Sequence, residues 1–194
     1  MRKNVAILLI FVLCFIIIGC TEINKKPSEI NLKPGEFGIY DLSIYDTKTQ
    51  KQIYLGMSKE EVDSILGTPV KVKDIVTQYS YDNFYVAYRD DKIVSMLISA
   101  DDINPYDRFI TNRNISLGSY KKDVVKAYGV DWQSEKSGTY ILLRKNDQFV
   151  FLEKIDDDKK YDTNNIFFIS FISNDKDKID YISISDYNYG KFLK

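Results

Sequence analysis

The chain carries two thiols, Cys14 and Cys20, and no histidine. Without an imidazole, Ser-His-Asp and Cys-His catalysis are excluded, as is every histidine-based metal site. Cys14 lies inside the apolar stretch from Val5 to Ile18; Cys20 stands just past its end, directly after the small residue Gly19. Every other reactive side chain is a carboxylate, a hydroxyl or an amine.

The carboxylates have structural explanations. Asp156, Asp157 and Asp158 with Asp162 suggest calcium, but no glycine stands at loop position six and no glutamate at twelve, so a solvated turn is expected. Glu60, Glu61 and Asp63 open a predicted helix, where acids complement the macrodipole. Asp90, Asp91, Asp175 and Asp177 fall at predicted hairpin turns, where aspartate is ordinary. Glu153 is the only acidic residue inside a strongly apolar strand and reads as a rim residue, not a catalytic one. No serine sits in a G-x-S-x-G setting, and the glycines mark repeat starts and helix ends, not a phosphate loop. The expectation is no catalytic residue, no metal ligand and no cofactor.

Arg2 and Lys3 precede the apolar stretch, which fits a signal peptide and is short of the roughly 20 residues a spanning helix needs. Ile17-Ile18-Gly19-Cys20 resembles the lipobox of bacterial lipoprotein precursors. The resemblance implies a signal peptide over 1–19, cleavage between Gly19 and Cys20, and a diacylglyceryl thioether on Cys20. The plain alternative is an ordinary signal or an uncleaved anchor. Two acyl chains satisfy the two-signal requirement for stable anchoring, placing the protein on the outer face of the bacterial cell membrane. Cys14 leaves with the signal, so no free thiol remains for disulfides or zinc.

Loss of Arg2 and Lys3 takes the net charge from −1 to −3. That argues against a nucleic-acid partner. Fifteen tyrosines and eleven phenylalanines imply a sizeable, strand-rich core.

Residues 20–36, with Lys25-Lys26-Pro27 and Lys33-Pro34-Gly35, read as a lipidated N-terminus and flexible tether. Fully extended, about 16 residues span roughly 55 Å. Residues 39–45 read as a strand of mixed burial. An internal repeat follows: residues 53–67 align without gaps on residues 115–129, 62 positions later. In the first copy Ser58 and Glu61 form a capping box, Met57 and Val62 a hydrophobic staple, and Val62, Ile65 and Leu66 one apolar face. Gly67 ends the helix and Pro69 prevents its continuation. In the second copy Val124, Ala127 and Tyr128 make the face, Gly129 ends it, and Ser119 is expected to cap one position earlier.

Each helix precedes strands expected to form an antiparallel meander, over 78–81, 84–88 and 93–99, then 140–144, 149–152, 166–171 and 179–185. Asp91-Lys92-Ile93 matches Asp177-Lys178-Ile179 at an offset of 86. Ser95 and Ser99 then match Tyr181 and Ser185, while Met96 and Ile98 match Ile182 and Ile184. An apolar face therefore meets the helices and a Ser/Tyr face points away. The tail 186–190 reads as frayed or a short cap. The first repeat is taken as 37–104 and the second as 105–194.

Leu55-Gly56-Met57-Ser58-Lys59-Glu60-Glu61-Val62 followed by Leu66-Gly67-Thr68-Pro69 resembles the SmpA/OmlA family of small bacterial lipoproteins. Its doubling is similar to the β-lactamase inhibitor protein fold of two helix-plus-sheet repeats. The segment from Thr111 to Gly129 also resembles uncharacterised lipoproteins of low-GC Gram-positive bacteria. SmpA/OmlA proteins carry one copy and serve outer-membrane assembly, and the inhibitor proteins carry disulfides; this chain departs from both.

The expected fold is α+β: two tandem helix-plus-antiparallel-sheet repeats whose strands can join one continuous curved sheet with helices on one face. The expected function is a non-enzymatic, lipid-anchored protein-binding module for an envelope or secreted protein. Tyr79, Tyr81, Tyr85 and Tyr181 are placed on the uncovered sheet face as partner-binding residues, since tyrosine gives contact area at low entropic cost. Competing readings are a carboxylate-based cell-wall hydrolase and an inhibitor of a secreted enzyme.

Overall fold

Helix α1, Lys59–Leu66, starts at Ser58, whose hydroxyl oxygen accepts from the Glu61 N–H at 3.3 Å. Glu61 Oε2 accepts in return from the Ser58 N–H at 2.8 Å, so two otherwise orphaned donors are satisfied reciprocally. Helix α2, Lys121–Tyr128, ends at Gly129 in the left-handed region, φ +76°, as α1 ends at Gly67 with φ +90°. Val62 and Val124 are wholly buried, worth about 1.5–3 kcal/mol each. The α2 cap differs from expectation. Tyr120 occupies the cap position, and the Asp123 carboxylate accepts from its N–H at 3.3 Å. Ser119 cannot serve, because its carbonyl is held by the Ile179 N–H at 2.8 Å and its hydroxyl oxygen accepts from the Ser116 N–H.

The computed structural model describes residues 25–72, 78–100, 107–132, 134–146, 148–155 and 160–191. Strands β1 (Ser43–Asp46), β2 (Lys51–Tyr54) and β7 (Phe109–Thr111) form a small antiparallel sheet in the order β2-β1-β7. Strands β3 (Val70–Val72), β4 (Gln78–Tyr81), β5 (Phe84–Arg89), β6 (Lys92–Ser99), β8 (Ser137–Lys145), β9 (Gln148–Leu152), β10 (Ile166–Ser173) and β11 (Ile179–Asp186) form one continuous antiparallel sheet. Its order is β3-β4-β5-β6-β11-β10-β8-β9. The class is α+β, with α1 and α2 on one face of the large sheet. The core between them takes in Val86, Met96, Ile98, Leu142, Ile182 and Ile184 together with Ile44 and Ile53 of the small sheet.

The two copies use the same backbone bonds. The Gly56 N–H donates to Ile93 O at 2.9 Å and the Ile93 N–H to Met57 O; likewise Gly118 donates to Ile179 O at 2.7 Å and Ile179 to Ser119 O. Lys59 donates to Asp91 O, and Lys121 to Asp177 O. Asp91 and Asp177 both take positive φ, 60° and 56°.

Three expectations need correction. Residues 39–42 form a 3-10 turn, and the strand begins only at Ser43. The second half is not a plain meander: β10 pairs with β8, and β9 is displaced to the sheet edge. Strand β10 is buried on both faces over Ile166–Ile169 whereas β9 is half exposed, and a strand apolar on both sides belongs inside a sheet. Residues 25–36 are not a free tether. Pro27 is buried, the Gly35 N–H donates to Tyr128 O at 2.8 Å, and Phe37 bridges to Phe149 on the outer edge of β9. Strand β7 follows residue 104 yet pairs with β1, so the small sheet draws on both halves of the chain. The acidic residues 156–158 lie outside the described residues; Asp162 caps a 3-10 turn by accepting from the Asn164 N–H at 3.1 Å.

Candidate interaction surface

Cross-strand register orders the side chains on the sheet face away from α1 and α2 into three rows. One row runs Gln78, Ala87, Ser95, Ser185, Phe168, Ile141. The next runs Ser80, Tyr85, Leu97, Ser183, Ser170, Thr139. A third, shorter row runs Ser99, Tyr181, Ile172, Ser137.

The C-terminal helix α3, Tyr187–Gly190, lies on this face, so the tail forms a cap and the helices do not all share one side. Asp186 starts it by accepting from the Tyr189 N–H at 2.8 Å. Tyr189 packs on Ala87 and Val94, its hydroxyl accepting from Gln78 Nε2 at 2.5 Å, and Tyr187 packs on Phe168 and Ile141. Gly190 sits so close to the sheet that a Cβ there would meet the Phe168 ring at 2.4 Å. The first row is thus roofed.

Between that roof and the rim made by Tyr181 and Ile172 lies a groove of about 190 Å³. Its lining includes Ser137, Thr139, Ser170, Tyr181, Ser183 and Ser185, with Phe168 and Ile172, and among the described residues none that lines it is charged. The Thr139 and Ser170 hydroxyls lie 3.1 Å apart, and Ile172 stays 41% exposed. Burial raises the Tyr181 phenol above its ordinary value, so it is neutral at physiological pH. The groove offers neutral donors and acceptors beside exposed apolar area.

Two of the four expected tyrosines fall on this sheet face: Tyr181 lines the groove, and Tyr85 stands in the middle row outside it. Tyr79 and Tyr81 do not. They point under α1: the Tyr81 hydroxyl donates to Asp63 Oδ1 at 2.6 Å, and Lys59 Nζ lies 4.8 Å from the Tyr79 ring centroid. Tyr79 meets Tyr88 edge-on at 5.5 Å. Burial first, then the Asp63 bond, raises the Tyr81 phenol; burial pushes Tyr88 up to about 12. These are packing groups, and β4 presents Tyr79 and Tyr81 to the helix because its register with β5 sets Ser80, not Tyr79, beside Tyr85.

A second polar centre escaped the sequence reading. Arg113 is buried and all five of its N–H groups donate. Nε donates to Asp41 Oδ1 at 2.7 Å and Nη2 to Asp41 Oδ2 at 3.1 Å. The others reach Glu36 O, Lys33 O and Ala127 O at 2.5, 3.1 and 2.7 Å. The guanidinium lies 4.7 Å from the Tyr128 ring centroid and 5.4 Å from that of Phe37. Burial pushes the Asp41 carboxyl up and Arg113 draws it back. Every bond is internal, so this centre fastens the leader instead of binding a ligand. Beside it, Asn112 Nδ2 donates to Tyr40 O, and Gln52 Nε2 donates to Asn112 Oδ1 and to Lys25 O at 2.9 Å. Among the described residues no cluster of three or more His, Cys, Asp or Glu could hold a metal. Gly19 and Cys20 lie outside the described residues. Glu153 is exposed just past β9.

No family model matches the chain, and no curated protein matches it. Among solved structures it is similar to a cysteine-rich secretory protein from Staphylococcus aureus subsp. aureus Mu50, at 12% identity and a TM-score of 0.42. That alignment covers 81% of this chain and 48% of the other, so the chain spans about half that protein's length.

Proposed function

We propose that the mature chain is a lipid-anchored, non-enzymatic protein-binding module on the outer face of the cell membrane, built from tandem repeats of the SmpA/OmlA kind. The observation that carries the reading is the hydroxyl-lined, uncharged groove between α3 and the Tyr181–Ile172 rim. Hydroxyl side chains flanked by tyrosine and an exposed isoleucine suit a neutral stretch of protein surface, since interface cores are depleted of charge and enriched in aromatics. The anchor at Cys20 supports the same reading, because confinement to a surface raises effective concentration and makes a modest interface sufficient.

The test has two arms. The N-terminal peptide of the native protein is expected to begin at Cys20 and to carry the mass of a diacylglyceryl group, and Cys20→Ala to abolish that mass and leave a longer, unprocessed precursor. A photo-crosslinking amino acid at Ile172 is expected to trap a discrete envelope or secreted protein in intact cells. The same group at Val150, exposed on edge strand β9, should trap it far less. Adducts equal at both positions, or at neither, would reject the groove as the interface.

A further inference from the structure

The docked leader fixes how far the module can stand from the bilayer. The chain is held from Lys25 onward: Lys25 O accepts from Gln52 Nε2, Pro27 is buried, and Lys33 O and Glu36 O are bound by Arg113. Only Thr21 to Asn24 separate the acylated cysteine from the first held residue, five residue steps from Cys20 to Lys25. Five residues at full stretch reach about 17 Å, against the roughly 55 Å of a free tether of 16 residues. That reach is less than the width of the folded sheet: eight strands at about 4.8 Å spacing span roughly 34 Å from first to last.

The point where the leader enters the module is also an exposed amphipathic patch. Ile39 is 52% exposed on the turn that precedes β1. Tyr40 next to it is half-buried and has Lys25 Nζ 6.0 Å from its ring centroid. Lys26, the residue after Lys25, is exposed. Aliphatic, tyrosine and lysine together are the chemistry of the headgroup layer: the apolar group enters the acyl boundary, the phenol sits at headgroup level, and the ammonium meets phosphate.

We infer that the module rests against its own membrane, with Ile39, Tyr40, Lys25 and Lys26 in the lipid headgroup layer, and that the Arg113-bound leader is the strap that holds it there. This rests on the lipid-anchored reading of Cys20 but not on the identity of any protein partner. The strap turns an anchor into an orienting device: a chain free over 16 residues would let the module tumble, whereas one held at Lys25 presses one patch to the surface.

The experiment uses the acylated full-length protein in vesicles of phosphatidylglycerol and phosphatidylethanolamine. The mature chain has no thiol besides the acylated one, so Ile39→Cys and Ile172→Cys each accept one fluorophore. Quenching by lipids carrying a nitroxide at the headgroup is expected to be at least threefold stronger at position 39 than at 172. Inserting twelve Gly/Ser residues after Asn24, outside every described contact, is expected to cut quenching at 39 at least twofold. Weak or equal quenching at both positions in acylated protein overturns the strapped orientation and leaves the anchor standing. Quenching at 39 that the insertion leaves unchanged overturns the strap's role. An N-terminal peptide without acyl mass overturns the anchored reading itself, and this proposal with it.

Discussion

Leu97 stands opposite Ser183 in the β6–β11 ladder, and the two are counterparts in the repeat, 86 positions apart. Their neighbours pair reciprocally: Ser95 opposes Ser185, and Ser99 opposes Tyr181. An antiparallel ladder whose central pair consists of equivalents has a local two-fold axis through that pair. The two halves therefore meet edge to edge about a local two-fold at β6 and β11, and the bonds of Gly56 and Ile93, matched by those of Gly118 and Ile179, repeat that symmetry, whereas the displaced β9 breaks it farther out.

Equivalent bonds should open with similar free energies. In native-state hydrogen exchange, the Gly56 and Ile93 amides are expected to be protected to within about 1.5 kcal/mol of Gly118 and Ile179. Protection confined to one copy would mean that the halves do not share the same packing.

Arg113→Met leaves Asp41 as a buried carboxylate without its cation. Breaking one side of such a pair costs roughly 3–5 kcal/mol, read as a fall in the urea midpoint. Adding Asp41→Leu should recover at least about 1 kcal/mol of that loss, because the two residues share one network. Strict additivity would separate their roles.

Asp46 carries the pH dependence. Burial alone would raise its carboxyl, but bonds from Arg108 Nε and Nη2 at 3.0 and 3.1 Å, from Thr49 and from the Lys48 N–H outweigh burial and hold it below the ordinary range. A folded value below the unfolded one, near 3.9, means the contribution is complete above that pH and is lost as pH falls through the folded value. Acid should loosen the β1–β2–β7 sheet, and Asp46→Asn should flatten the stability curve below about pH 4. An unchanged acid limb in the Asn variant would assign the dependence to another group.

Gly129 lies so close to the leader that an added Cβ would come 2.5 Å from Gly35 N, and its φ is +76°. Gly129→Ala should cost about 1–2 kcal/mol in backbone strain alone and loosen the leader, seen as faster cleavage after the exposed Glu36 by a glutamate-specific protease. Gly67→Ala is the control: it is also at positive φ, but nothing lies within 4 Å, so cleavage of the leader should be unchanged.

Gly138 faces the single tryptophan, and a Cβ there would meet the Trp132 ring at 2.4 Å. Gly138→Ala should push Trp132 off β8 and shift its emission to the red, at a cost of about 1–3 kcal/mol. An unshifted spectrum would show that the ring tolerates the methyl.

What could be read from the residues was local. Ser58, Glu61 and Gly67 determine helix ends through bonds within one turn, and the repeat carried them onto the second copy except at Ser119, whose carbonyl is claimed by Ile179. The face of Tyr79 and Tyr81 depends on the β4 register, where a shift of one residue reverses every side chain. The docking of residues 25–36 was hidden for another reason. Arg113 binds the carbonyls of Lys33 and Glu36, and a backbone carbonyl leaves no mark on residue type. The groove was half visible, since the Ser/Tyr alternation of β11 announced a polar face, but the roof supplied by Tyr187 and Tyr189 depends on where a four-residue tail lands.

The symmetry at Leu97 and Ser183 leaves the duplicated body with no inherent front or back along the sheet, and the chain ends undo that. The leading segment packs on the end of α2, on β2 and on the edge of β9; the trailing segment lies on the sheet face away from α1 and α2, where Gly190 borders the groove. The two halves thereby become unequal, one end of the polypeptide packing on the helical side and the other roofing part of the opposite sheet face.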